Sequence, residues 1–257
     1  MRPSTLELHS STDAHRFKYT YGESGNIEKI YENGILSVRY EYDAIGRLTR
    51  EDNRAFGKTS LWEYDTSGNI LSRRSYAFTL KPTEALIESD PEDVLLYEYA
   101  GDNLVSLNGT EHIHYCTEGH PDLYRGKAVT WTAPRMLGTY DGNTLTYNSD
   151  GLCASINGKP LIYSRDGRLL SDGTFRYLYD ESGALFGFLR AADGAEYLYR
   201  RDALGNILAI LDTEGAVVVQ YKYDAWGNHK VLNASGEEIA NQNHIGHLNP
   251  HRYRGYY

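Results

Sequence analysis

One phrase recurs through this chain: a tyrosine, three residues, then a glycine. It stands at Tyr21/Gly25, Tyr42/Gly46, Tyr64/Gly68, Tyr147/Gly151, Tyr163/Gly167, Tyr179/Gly183 and Tyr223/Gly227. Two residues before each tyrosine comes another large side chain: Tyr19, Tyr40, Trp62, Leu145, Leu161, Tyr177 or Tyr221. Two residues after the glycine there is usually an aliphatic, as at Ile27, Leu48, Ile70, Leu169 and Leu185. Side chains at i and i+2 share one face of a strand, and tyrosine rings pack well on a pleated surface. The glycine supplies the positive φ of a tight reversal, and the aliphatic opens the return strand. Each copy therefore predicts one β-hairpin. Asn-Gly steps at Asn33, Asn108 and Asn157, and Asp-Gly steps at Asp141, Asp150, Asp166, Asp172 and Asp193, add further hairpin turns.

A lone hairpin is marginal in water, so these must pair side by side and draw stability from their neighbours. The copies are 16 to 24 residues apart, and degenerate versions begin at Tyr97 and Tyr197. The expectation is an all-β chain, residues 1–257, forming one continuous array of antiparallel hairpins with tyrosine ladders. Residues 77–96 break the rhythm with Pro82, Pro91 and the acids Glu88, Asp90, Glu92 and Asp93. They are read as a loop insertion with a short helix. Residues 110–137, with Pro121 and Pro134, are read as irregular strands and loops.

Composition narrows the function. Of 257 residues 23 are Tyr, against 6 Phe and 3 Trp, which suits half-wet sheet faces better than a dry core. Net charge is −9 with no basic run, which argues against nucleic-acid binding. The scattered charges read as a solvated surface. No run of ~18 apolar residues predicts a membrane span, and the amino-terminal stretch lacks the apolar core of a signal peptide. Cys116 and Cys153 do not decide the redox compartment, and a disulfide between them is left open.

Candidate chemistry is sparse. His244, His247 and His251, and His112 with His114, have the residue type of a zinc site. Pro250 interrupts any helix that would align the first three, so exposed or tyrosine-packed histidines are expected. Cys116 near His114 has no third orienting group. The acid pairs Glu92/Asp93 and Glu237/Glu238 read as solvated neighbours. No nucleophile elbow, metalloprotease helix or phosphate loop occurs. No enzyme activity, cofactor or metal is expected. The tyrosines could alternatively be a platform for cell-surface glycans, but their regular i, i+2 spacing favours ladders. Choline-binding repeats rely on tryptophan pairs, and this chain has only Trp62, Trp131 and Trp226.

The Tyr-Asp phrases "YEYDAIGR" (40–47), "WEYDTSGN" (62–69) and "YKYDAWGN" (221–228) resemble the YD repeats of Rhs proteins. Such repeats also occur in wall-associated bacterial toxins, insecticidal toxin-complex subunits and teneurins. "GHPDLYRGKAVTWTAPRML" (119–137) is similar to the stretch before the Rhs-associated core. "YDAWGN" followed by "IGHLNPHRYRGYY" (245–257) is similar to the core motif, whose start is set at 221–257. The resemblance implies a spiralling β-sheet that forms part of a hollow shell around a C-terminal toxin. In many members an aspartate-dependent self-cleavage frees that toxin. It implies as partners the parent polypeptide's toxin domain and its remaining shell repeats, in a secreted or cell-surface parent. The self-cleavage aspartates have no counterpart here, so a truncated, non-catalytic member is expected. The motif residues are Tyr42, Gly46, Tyr64, Gly68, Tyr179, Gly183, Tyr223, Asp224 and Gly227, with Asn249, Pro250, Arg252, Tyr253, Arg254, Gly255 and Tyr256 as a plug or closure element.

Overall fold

The computed structural model describes residues 4–9, 14–133 and 135–257. Pro134 and residues 1–3 and 10–13 of the amino-terminal stretch lie outside them. The fold is all-β, with 52% strand and 5% helix. Among the described residues, strands pair antiparallel with their neighbours in sequence, in three sheets of ten, seven and eight strands. No helix among the described residues is long and apolar enough to cross a membrane. The chain divides into two compact units: Met1–Asp65, Ser72–Val94 and Tyr197–Tyr257 in the first, Thr66–Leu71 and Leu95–Glu196 in the second.

The phrase read from the sequence builds the same hairpin in both units. In the first unit, strand Ile35–Tyr42 reverses through Asp43 to Arg47 and returns as Leu48–Asn53. The Asp43 carboxylate closes the turn by accepting the backbone N–H of Ile45 and Arg47, at 3.1 and 2.8 Å. Gly46 takes the left-handed φ of +85° that a side chain would resist. Asp180 plays the same part in the second unit, accepting from Ala184 N at 2.9 Å. Asn148 and Asn233 replace the aspartate with the same geometry.

The register shifts by one residue beside most of these turns, as between Glu41 and Tyr42 or between Thr20 and Tyr21, though not beside the turn after Tyr223. The first residue of the return strand then presents its carbonyl to the next repeat. A tyrosine hydroxyl donates to it: Tyr42 to Ile27 O at 2.9 Å, Tyr64 to Leu48 O at 2.7 Å and Tyr223 to Ile207 O at 2.6 Å. Tyr99 to Ile70 O at 3.0 Å and Tyr179 to Leu169 O at 2.7 Å repeat it in the second unit. Each acceptor lies two residues beyond a turn glycine, and each donor is the tyrosine that opens the next turn.

The opposite turns are stitched differently. Asn33, Asn108 and Asn157 have φ near +50°. Each donates its own N–H to a residue on the preceding strand: Arg16 O, Leu96 O and Thr144 O. Each then accepts that residue's N–H on Oδ1, at 2.9, 2.7 and 2.8 Å. The ladder thereby continues one step into the turn.

Within the second unit the ladder is divided twice, each time along one bent strand. Thr110–Glu111 pairs with Asn103–Leu107, whereas Ile113–Tyr115 pairs with Pro121–Tyr124. Only His112 separates the two pieces. Lys159–Pro160 and Ile162–Tyr163 repeat the arrangement around Leu161, where Pro160 has no N–H to give a ladder. The hairpin array therefore runs on in the chain while its ladder changes sheet. Phe175 and Phe188 form an edge-to-face pair at the dry centre of this unit.

In the first unit, the stretch that breaks the rhythm, there residues 77–94, carries a helix, Thr83–Ile87, whose Leu86 is buried with Leu61 and Tyr76. This excursion covers one face of Leu48–Asn53, and that face is polar. Arg50 and Asp52 are 1% and 0% exposed and pair at 2.8 Å. Arg50 also donates to Thr83 Oγ1 (2.9 Å), and Thr59 Oγ1 donates to Asp52 at 2.8 Å. The second oxygen of Asp52 accepts from Arg39 Nε at 2.5 Å. These charges, expected on a solvated surface, are at the centre of the unit, where both Asp52 oxygens and the Arg50 guanidinium find partners that offset the cost of burial.

Urea unfolding should separate three variants. Tyr42→Phe should cost about 1 kcal/mol, one net hydrogen bond. Asp52→Ala should cost about 3–5 kcal/mol, because it strands the buried Arg50 guanidinium and removes the partner of the half-buried Arg39. Asp93→Ala, which breaks the exposed Arg73–Asp93 pair, should stay within about 1 kcal/mol.

Candidate functional site

The other face of Leu48–Asn53, also in the first unit, carries Glu51 and Asn53, buried at 4% and 2% exposure. It meets the last Tyr-Asp turn. Asn53 Nδ2 donates to Tyr223 O at 2.9 Å and to Glu51 Oε1 at 3.0 Å. The same Glu51 oxygen accepts the Ala225 N–H at 2.9 Å. The turn is held in shape by Asp224, whose Oδ1 accepts from Trp226 N and Asn228 N, both at 2.9 Å. One strand along, Lys222 pairs with Glu32, which also binds His15 Nε2 at 2.7 Å. These bonds span 170 to 190 residues of sequence.

A cleft of about 600 Å³ runs beside this seam, lined by Tyr19, Tyr40, Tyr42, Tyr221, Tyr223 and Tyr253 among others. Burial raises the pKa of the Tyr19, Tyr40, Tyr42 and Tyr223 hydroxyls, so they stay neutral; Tyr42 and Tyr223 donate to backbone carbonyls. Burial also raises Asp202. Glu51 is pushed up to about 7, first by burial, with Asp224 and Asp52 adding repulsion. For Glu32 burial works upward too, but the His15 hydrogen bond and the Lys222 charge prevail and hold it at about 2.

The carboxy-terminal motif is laced onto the same unit. Helix Ile245–Leu248 packs so closely that a Cβ on Gly246 would lie 2.6 Å from Val231. Asn249 is fully buried. Its Oδ1 accepts from Tyr199 OH at 2.5 Å, and its Nδ2 donates to His251 O at 2.6 Å and to Tyr221 OH at 3.3 Å. Tyr221 OH donates onward to Gly246 O at 2.7 Å. The Arg252 guanidinium donates to Gly246 O and His247 O, at 3.2 and 2.6 Å. Arg252 O accepts the Ile207 N–H at 3.0 Å, and Arg254 N donates to Asn206 Oδ1 at 2.9 Å. The Tyr253 ring lies against Gly227, where a Cβ would come within 2.9 Å; φ there is +84°. Asn249, Arg252, Tyr253, Gly227 and Tyr223 are thus brought together. Pro250 is half-buried beside them, and Gly255 accepts from His251 Nδ1 at 3.0 Å. Tyr256 is 69% exposed and stands apart. Tyr42, Gly46, Tyr64, Gly68, Tyr179 and Gly183 occupy their turns elsewhere in the array; all three glycines have positive φ.

The histidines are used one at a time. His244 accepts from Gly246 N at 3.2 Å, His247 binds Ile239 O at 2.6 Å and His251 stacks edge-on with Tyr257. Among the described residues no group of three His, Cys, Asp or Glu side chains is placed to hold a metal ion. His114 pairs with Asp122 at 2.6 Å. Glu92 and Asp93 are exposed and pair separately with Lys58 and Arg73; Glu237 and Glu238 are exposed. Sequence reasoning missed Arg50 to Asn53. The one available signal was four consecutive polar residues inside a strand, where alternation would be expected.

No protein-family model matches the chain. The tRNA3(Ser)-specific nuclease WapA of Bacillus spizizenii is 36% identical over 83 residues, covering 32% of this chain and 3% of that protein. The tRNA nuclease WapA of Bacillus subtilis strain 168 gives the same identity and coverage. The chain thus spans about 3% of the length of these curated relatives. Among solved structures, the Photorhabdus luminescens Tc holotoxin pore aligns with 98% of this chain and 18% of its own, at 13% identity and TM-score 0.39. A TcdB2–TccC3 crystal structure covers 85% of this chain and 15% of its own, at 16% identity and TM-score 0.29. In its Tyr-Asp hairpins and carboxy-terminal motif, and over the 83 residues aligned with the WapA nucleases, the chain is similar to Rhs, or YD-repeat, proteins.

Proposed function

We propose that this chain is a structural, non-catalytic length of an Rhs-type β-shell, within a secreted or cell-surface parent, whose wall encloses and helps deliver a C-terminal toxin. The observation that carries this reading is the tyrosine-to-carbonyl bond repeated in both units. It commits the side chains that dominate the sequence to joining one repeat to the next. That use of the hydroxyls also leaves nothing that favours the glycan-platform alternative. The nuclease activity named for the wall-associated relatives is assigned, on this reading, to polypeptide outside the chain. Residues 1–257 act as one wall segment, and the Asn249 to Tyr256 motif closes the repeat array, with Asn249, Arg252 and Tyr253 set against Tyr199, Tyr221 and Tyr223.

The test is expression of the whole gene that contains this sequence. The polypeptide encoded after Tyr257 should resist limited proteolysis while the repeats are folded, should be cut once they are unfolded, and should carry the toxic activity. A gene with no such region, or a region cut equally fast with and without the repeats, would overturn the proposal. The 257-residue chain alone should leave tRNA intact over hours. Asn249→Ala should open the stretch from Ile245 onward to protease at a lower urea concentration than the strands; equal susceptibility would remove the closure role.

A further inference from the structure

We infer that the seam between strand Leu48–Asn53 and the turn Tyr223–Asn228 is a pH-sensitive latch, held most firmly in mildly acidic solution and loosened by alkali. The inference stands on how Glu51 is placed and does not depend on the shell reading. Both donors that reach Glu51, Ala225 N–H and Asn53 Nδ2, go to the same oxygen. The second oxygen can carry a proton without loss of either bond. Neutral Glu51 therefore keeps the turn docked, and ionised Glu51 places an extra charge in a buried site.

The surroundings do not neutralise that charge. Asp224 approaches from the docked turn and Asp52 from the same strand, and both repel it. Strand Ile35–Tyr42 faces it with Tyr40 and Tyr42, whose hydroxyls stay protonated. Lys58, Arg73 and Asp93 line the small cavity next to Glu51. Lys58 pairs with Glu92, and Arg73 pairs with Asp93 through one Nη while its Nε finds no partner; neither cation bonds to Glu51.

The sign follows from the direction of the shift. Glu51 is raised from 4.5 to about 7. Its contribution to docking is complete below about 4.5 and is lost as pH rises through about 7. The neighbouring clamp runs the other way. Glu32, bound by His15 and Lys222, with Ser37 also donating to it and Tyr19 and Arg200 nearby, is lowered to about 2. Its contribution is complete above about 4.5 and is lost as pH falls through about 2. The two clamps overlap best in weak acid.

The test is amide hydrogen exchange on the full chain, corrected for intrinsic rates, between about pH 5 and about pH 8. In the wild type, protection of the Ala225 amide should fall on the order of 100-fold across this range. The Ile210 amide, inside its strand, should change far less. Glu51→Gln keeps the acceptor oxygen and removes the charge, so its Ala225 protection should be high and flat with pH. Asp224→Asn retains the turn's acceptor and removes the nearest repulsion, so the fall should move to lower pH and shrink. A flat wild-type profile would overturn the latch. So would a wild-type fall persisting in Glu51→Gln or, should that variant not fold, an unaltered profile in Asp224→Asn.

Discussion

The bond from a tyrosine hydroxyl to the carbonyl beside the preceding turn is what the rest of this molecule depends on. Backbone ladders hold strands together, but they are indifferent to which residues they join. The hydroxyl bond is specific. It requires a glycine turn, a one-residue register shift that turns a carbonyl out of the ladder, and a tyrosine at one position of the following hairpin. Each such bond is worth only about 1 kcal/mol net. Repetition makes it count, because it also fixes the register, and a one-residue slip would turn every side chain to the wrong face.

The same logic explains why the carboxy-terminal motif is built as it is. Asn249 offers both an acceptor and a donor, which matches the two tyrosine hydroxyls and the backbone carbonyl around it. An aliphatic of the same size would leave Tyr199 OH and His251 O with partners to find. Arg252 reaches two successive carbonyls of the short helix with one guanidinium nitrogen. The motif thus continues the rule of the array: backbone groups outside the ladder are met by conjugated or aromatic side chains.

How much of this was legible in the sequence depended on distance along the chain. The spacing Tyr-x-x-x-Gly carries its own explanation, because both ends of the hairpin lie within a few residues. Asn33, Asn108 and Asn157 were likewise readable as turns. The partner of each tyrosine hydroxyl was not, because a backbone carbonyl in another repeat has no letter in the sequence. Arg50 to Asn53 read as solvated charge because nothing local says that residues 77–96 will cover one face and the turn at Tyr223 the other. Asn249 was singled out through its motif, but its burial between two tyrosines 22 residues apart comes only from the fold. Histidines spaced as ligands each meet a different backbone partner: His244 caps the short helix, His247 reaches Ile239 O and His251 lies beyond Pro250.

The hydroxyl bond also has a direction. The carbonyl always belongs to the earlier hairpin and the hydroxyl to the later one. A ribosome delivers the chain in that order. Each finished hairpin therefore exposes a ready acceptor before its tyrosine has been synthesised, and assembly can advance like a zip from the amino-terminal side. The seam at Glu51 must wait until the last Tyr-Asp turn has emerged, so joining the two ends of the first unit is the natural final step of folding.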